Sequence, residues 1–308
     1  MPQVIVIGSR GSALALAQTH EVLAALRRTT PSLNCTTRII QTQGDADQQA
    51  SLAVLGGQGV FVKAIEVALE HGLIDLAIHS LKDVPSQGPP SLTLRPVLLR
   101  EDPRDALVTR DGAGLRDLPP GARVGTGSLR REVQLRALCP DLRVVDIRGN
   151  VDTRLRKLDA GDYDAIVLAA AGLHRLGLGQ RISAYLPLDQ MLPAPGQGIL
   201  AAETRADDLT LLQAVEALVD PATEVAATAE RAFLARLGAG CRLPMAAYAR
   251  VDLAANTVML HAMVADPDGD GGRLARAAQD APLADAGRLG TNLAEALAAE
   301  VAEVHTSA

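Results

Sequence analysis

Short β-branched apolar runs alternate with segments of helical spacing over the first two thirds of the chain. Val4–Ile7, Thr36–Ile40, Leu76–Ile78, Ala106–Thr109, Arg143–Ile147 and Ala165–Leu168 predict strands. Between them, Ser12–Arg28, Val60–Glu70, Leu129–Leu138 and Val151–Leu158 repeat apolar positions every three to four residues and predict helices. Ser12 is suited to cap the first of these helices and Ser128 the third. Such alternation predicts α/β layers, with helices packed on sheets. Two blocks emerge, roughly 1–98 and 101–194. Glu101-Asp102-Pro103-Arg104-Asp105 and Leu192-Pro193-Ala194-Pro195-Gly196-Gln197-Gly198 are the punctuated crossovers. The pattern then changes. Pro221 opens an Ala-rich helix to about Leu237, Met245–Val251 and Thr257–Val264 predict two strands, and Leu283–Val304 an amphipathic helix. That is a small α+β region.

Composition narrows the function classes. The 308 residues are 48% hydrophobic and 21% charged, with a formal net charge of −6. An acidic chain has little general affinity for nucleic acid or anionic membrane. Aromatics make up 2% with no Trp, which argues against a stacking platform for single strands. No apolar run approaches the roughly 20 residues that span a bilayer, and the N-terminus lacks a basic signal-peptide region. Three widely spaced cysteines, Cys35, Cys139 and Cys241, argue against a disulfide framework and for a reducing cytoplasm.

Several familiar motifs are incomplete. His20-Glu21-Val22-Leu23-Ala24 lacks the second His of a zinc-protease helix. Gly56-Gly57-Gln58-Gly59 lacks the Lys-Ser/Thr ending of a phosphate loop, and Gly125-Thr126-Gly127 lacks the third glycine of a dinucleotide fingerprint. The six histidines are scattered, so no metal site is expected.

Other segments carry chemistry. Lys82 and Asp83 follow the strand in Asp75–Pro85, where ligands bind in open α/β sheets, although a solvated turn with an ion pair fits equally. From Arg123 to Lys157, nine Lys/Arg stand against four Asp/Glu, a local excess of five positive charges in an acidic chain. A strand, a Gly turn and a helix start carry Ser128, Arg130 and Arg131. Helix N-termini favour anions and arginine binds carboxylates bidentately. Arg130 and Arg131 point to different helix faces, so one at least can reach a ligand. A solvated basic face is the alternative. Arg10-Gly11-Ser12 repeats the strand–turn–helix layout. Cys241 follows a helix end and two glycines, Gly238 and Gly240, on a loop, whereas Cys35 and Cys139 read as small buried hydrophobes. The polar 44–59 connection has the length of a lid.

In order along the chain, eight segments are similar to those of the hydroxymethylbilane synthase (porphobilinogen deaminase) family. They are Gly8–Ala15, Gly59–Lys63, His79–Pro85, Arg100–Asp105, Gly125–Arg131, Arg148–Val151, Leu192–Gly198 and Gly240-Cys241. The resemblance implies two periplasmic-binding-protein-like α/β domains flanking a cleft, plus a small C-terminal α+β domain. Domain 1 would be 1–99, completed by about 196–216, domain 2 would be 100–195, and domain 3 would be 217–308 with the cofactor cysteine. It implies a dipyrromethane cofactor joined by a thioether to Cys241. Four porphobilinogen units are added to it with release of ammonia, giving the linear tetrapyrrole hydroxymethylbilane. It also implies a monomer, with porphobilinogen as its small-molecule partner and neither nucleic acid nor membrane as another.

The same resemblance assigns residues. Asp83 would be catalytic, stabilising positive charge on a pyrrole nitrogen and moving a proton. Lys82, Ser128, Arg130 and Arg131 would bind the cofactor. Arg10, Ser12, Phe61, Arg148, Arg154, Arg175 and Gln197 would bind substrate. Gln58, Leu81, Gly127 and Gln43 depart from the family pattern and bear on the lid and on affinity. Two rival readings are a two-lobed protein that binds a carboxylated ligand without chemistry, and a LysR-type effector module, for which no helix-turn-helix segment is present.

Overall fold

The structure is a computed structural model that describes residues 4–41, 62–238, 244–266 and 274–303. The order begins β1 (Val4–Ser9), α1 (Ala13–Thr29), β2 (Asn34–Ile39), α2 (Lys63–Glu70), β3 (Leu76–Ser80) and β4 (Leu92–Val97). It continues β5 (Asp105–Thr109), β6 (Arg123–Gly125), α3 (Leu129–Leu138), β7 (Arg143–Val145), α4 (Val151–Asp159), β8 (Ala165–Ala169), α5 (Ala170–Arg175) and β9 (Ala184–Tyr185). It ends β10 (Leu200–Arg205), α6 (Leu209–Glu216), α7 (Pro221–Gly238), β11 (Met245–Asp252), β12 (Thr257–Ala265), β13 (Leu274–Pro282) and α8 (Ala286–Glu303). The α/β class predicted from the alternation is what the sheets show. The chain divides into two compact units, Met1–Glu101 with Gly198–Glu224 and Asp102–Gln197 with Val225–Ala308.

The first unit has one five-stranded sheet, β2-β1-β3-β10-β4. β1 pairs parallel with β2 and β3, while β10 runs antiparallel between β3 and β4. One face buries Ile5, Ile7, Leu76, Ile78 and Leu200 under α1 and α6, through Val22, Leu26, Leu211 and Val215. The other buries Ala77 under α2, through Ile65, Ala68 and Leu69. The β4 strand escaped the sequence pattern because it contains Pro96. Proline cannot donate to a ladder and is tolerated on the edge of a sheet, which is where β4 lies.

The second unit repeats this plan. Its sheet runs β7-β6-β8-β5-β9, with β6 parallel to β7 and β8, and with β5 antiparallel between β8 and β9. In each sheet the antiparallel strand enters directly after a crossover. Asp105 therefore starts β5 opposite Ala169, where β8 ends, and Leu200 starts β10 opposite Ser80, where β3 ends. Here α4 and α5 cover one face and α3 the other.

The C-terminal part of this unit is a meander, β11-β12-β13, so it has three strands rather than the two the sequence predicted. β13, LARAAQDAP, was missed because it is an edge strand with mostly solvated side chains, which leaves little apolar alternation. Phe233 and Leu237 of α7 and Leu289, Leu293 and Leu297 of α8 close over Val258 and Leu260. Gly290 lets the helices approach, since a Cβ there would lie 2.2 Å from Ala229 O.

Candidate active site

Parallel strands end together, and their carboxyl edge is where loops and helix N-termini converge on ligands. In the first unit that edge gathers four predicted residues. β1 runs out into Arg10-Gly11-Ser12, and Ser12 Oγ accepts from the Ala15 N–H at 3.2 Å, capping α1 as expected. Beside it β3 runs out into a single 3-10 turn, Leu81–Asp83. Leu81 is buried and donates its N–H to Ile199 O at 3.0 Å. Lys82 is half-buried and Asp83 exposed. Because β1 and β3 are neighbours in parallel register, Arg10 and Ser12 share one edge with Lys82 and Asp83.

In the second unit, the predicted residues follow three adjacent strand ends. Ser128 occupies the N-cap position of α3, but its side chain makes no capping bond. That corrects the expected cap. Thr126 Oγ1 instead accepts from the Ser128 N–H at 3.2 Å and shapes the turn. After β7 come Arg148 and Arg154. Arg148 Nε donates to Asp146 at 2.9 Å, and Arg154 Nε donates to Gly149 O at 2.7 Å. Arg175 ends the helix that follows β8 and is half-buried.

Arg130 and Arg131 do not diverge. Although adjacent on α3, both are buried, and both long side chains bend to the carboxylate of Asp105. Arg130 Nη1 donates to Oδ2 at 2.8 Å. Arg131 donates to Oδ1 through Nε at 3.1 Å and Nη2 at 2.7 Å. Gln197 Nε2 is the fourth donor to this carboxylate, reaching Oδ1 at 2.9 Å, and also donates to Pro103 O at 2.8 Å. Gln197 therefore ties the two crossover segments on this unit. Burial works against the charge on Asp105, yet the two guanidiniums hold its carboxyl well below the usual carboxylate range. Burial also lowers the Arg130 pKa. Two cations and one anion leave the cluster one positive charge in excess. Among the described residues Arg130 bonds only through Nη1, to Asp105 and to Leu192 O.

Asp105 and Gln134 are site residues that the sequence reading missed. Gln134 is fully buried and donates to Arg130 O and Leu192 O, while its Oε1 accepts from Leu192 N–H and from Arg276 of β13. An acidic residue abutting the apolar strand Ala106–Thr109, in a chain with surplus arginine nearby, was the available signal for Asp105. Nothing marked Gln134, whose partners are all distant or backbone. Cys241 and Phe61 lie outside the described residues, as do Gln43, Gln58 and the 44–59 stretch. Cys35 is half-buried on β2, and burial pushes its thiol pKa up. Cys139 is half-buried where α3 ends. No His/Cys/Asp/Glu group suited to a metal occurs among the described residues, and no helix among them is long and apolar enough to cross a membrane.

Comparison with known proteins bears on what these edges serve. Residues 5–213 match the family model described as "Porphobilinogen deaminase, dipyromethane cofactor binding domain", and residues 225–299 match "Porphobilinogen deaminase, C-terminal domain". The porphobilinogen deaminase of Roseiflexus sp. (strain RS-1) is 50% identical over 297 residues, covering 96% of both chains. That of Syntrophotalea carbinolica is 50% identical, covering 96% of this chain and 93% of the relative. That of Ralstonia nicotianae is 48% identical over 303 residues, covering 98% and 88%. With two family models and relatives at half identity spanning almost every residue, this chain belongs to the porphobilinogen deaminase family.

Proposed function

We propose that the chain is a transferase that condenses four molecules of porphobilinogen, with release of ammonia, into linear hydroxymethylbilane. The primer on this reading is a dipyrromethane held by a thioether to Cys241. When bound, that group supplies the pyrrole carbon onto which the next ring is joined. Each pyrrole unit carries an acetate and a propionate, so the growing chain is a dense polyanion. The observation that carries the reading is the placement of Ser128, Arg130, Arg131, Arg148 and Arg154 on the turns and first helical turns that follow two neighbouring strands, β6 and β7, in a family member.

The donor set suits that cofactor. Ser128 has a hydroxyl not spent on capping, and the Arg130–Arg131–Asp105 cluster keeps a surplus positive charge next to it. These residues, with Lys82, would receive the cofactor carboxylates through charge-assisted bonds, each contributing roughly 1.5–3 kcal/mol. Arg10, Ser12, Phe61, Arg148, Arg154 and Arg175 would receive those of the substrate. Gln197, buried and bonded to Asp105, would act by holding the arginine cluster in place. Asp83, exposed on its turn, would accept the pyrrole N–H, stabilise positive charge there and move the proton. On this reading the protein works as a cytoplasmic monomer with porphobilinogen as its one partner.

Intact-protein mass tests the reading. The expected result is a mass two pyrrole units above that of the sequence, lost in Cys241→Ser. A wild-type mass equal to the sequence, with binding of porphobilinogen but no linear product, would replace the enzyme by a carboxylate-binding protein.

A further inference from the structure

The Lys82–Asp83 turn hangs from the end of β3, and that strand end is fastened on both faces. Ser80 lies on the α1 face, where Gln18 Nε2 donates to its Oγ at 2.9 Å. His79 lies on the opposite face, the one that Ala77 presents to α2. It is buried there, with Nε2 3.1 Å from Glu203 Oε2 of the neighbouring β10. Glu203 is also buried, and it projects to this side because Leu200 and Ala202 face the other. A polar pair in an apolar layer is costly unless its bond is made. Glu66 of α2 borders the pair. Its carboxyl is pushed up by its own burial first and by the Glu203 charge next. Leu81, one residue beyond the Gln18–Ser80 contact, is held by Ile199 O.

We infer that His79 and Glu203 are positioning residues. Their buried bond locks the last residues of β3 against β10, so that the turn bearing Lys82 and Asp83 is presented in one orientation. Neither side chain touches the reacting atoms. Both act through the backbone of residues 80–83. A carboxylate that must meet a pyrrole N–H is sensitive to placement, since a shift of about 1 Å costs on the order of a hundredfold in rate.

The inference rests on the proposed catalytic role of Asp83 for its kinetic consequence and on the structure alone for its physical one, so the test has two arms. The variants are His79→Gln, which keeps a donor for Glu203, and His79→Leu, which removes it. Glu203→Gln serves as the second route if His79→Leu does not fold. Native-state amide exchange on the holoenzyme reads the turn. The Val84 N–H, bonded to Leu81 O, should exchange about tenfold faster in His79→Leu, while β1 amides stay unchanged. In parallel, kcat is divided by the fraction of protein carrying the cofactor mass. It should fall about 10- to 100-fold in His79→Leu with KM nearly constant, and largely recover in His79→Gln. Unchanged exchange at Val84, or a normalised kcat within twofold of wild type, overturns the inference. A wild-type protein without the mass excess instead overturns the proposed function, and the exchange arm still decides whether the clamp exists.

Discussion

Replacing Asp105 by Asn is the sharpest perturbation the structure offers. The side chain keeps its shape but loses its charge, and it then presents an amide to groups that are all donors. Asp105 is fully buried and accepts four hydrogen bonds, one from Arg130, two from Arg131 and one from Gln197. Both guanidiniums are also buried, so the variant strands two cations away from water. Removing one partner of a buried pair costs about 3–5 kcal/mol. At about 2–4 °C per kcal/mol for a unit of 150–250 residues, the transition unfolding the second unit should fall by about 6–20 °C. Because the folded carboxyl titrates below its unfolded value of about 3.9, its stabilisation is complete above that pH. It is lost as pH falls through the folded value. The gap between wild type and Asp105→Asn should therefore be constant from pH 5 to 8 and narrow only in acid. Burial also shields the cluster from salt, so the gap should survive 0.5 M NaCl. Calorimetry across pH and salt makes the measurement. Glu132→Gln, which breaks the partly exposed Glu132–Arg136 pair, is the control and should change stability by less than about 1 kcal/mol. A loss below about 1 kcal/mol in Asp105→Asn, or one abolished by salt, would refute the account of the triad.

Three further outcomes are expected. On the proposed function, Asp83→Asn keeps the mass excess but loses about 10²–10⁴ in turnover; near-normal turnover would move the proton transfer to another group. Glu230 is buried and accepts from the Gly196 N–H at 2.6 Å and the Ala249 N–H at 2.8 Å. Glu230→Gln sets an amide against one of those donors and should cost about 1–3 kcal/mol in denaturant unfolding. Gly198 sits at φ +88° with Glu101 O 2.3 Å from where a Cβ would stand. Gly198→Ala should therefore destabilise more than Gly177→Ala, where φ is +68° but nothing lies within 4 Å. Equal losses in denaturant unfolding would show that the close approach at the crossover is unimportant.

The sequence by itself settled what local chemistry controls. Hydrophobic period distinguished helices from strands, Ser12 marked a helix start, and a charged proline-bearing stretch and a Pro- and Gly-rich one marked the two crossovers, because these signals act within a few residues. Surplus arginine between 123 and 157 is what raised the expectation of an anion site there, since charge excess is countable without a fold. The shared order of eight segments pointed to the family. What the sequence left open depended on residues far apart in the chain. That β5 and β10 reverse direction beside β8 and β3 is set by the crossovers and read only from the ladder register. Helical spacing put Arg130 and Arg131 on different faces, but a long flexible side chain goes where a buried counter-charge is, and Asp105 lies 25 residues away from Arg130. The His79–Glu203 contact spans 124 residues. Local propensity cannot encode such pairs, because their free energy comes from excluding water around both partners at once, and only the packed sheet and its helices do that.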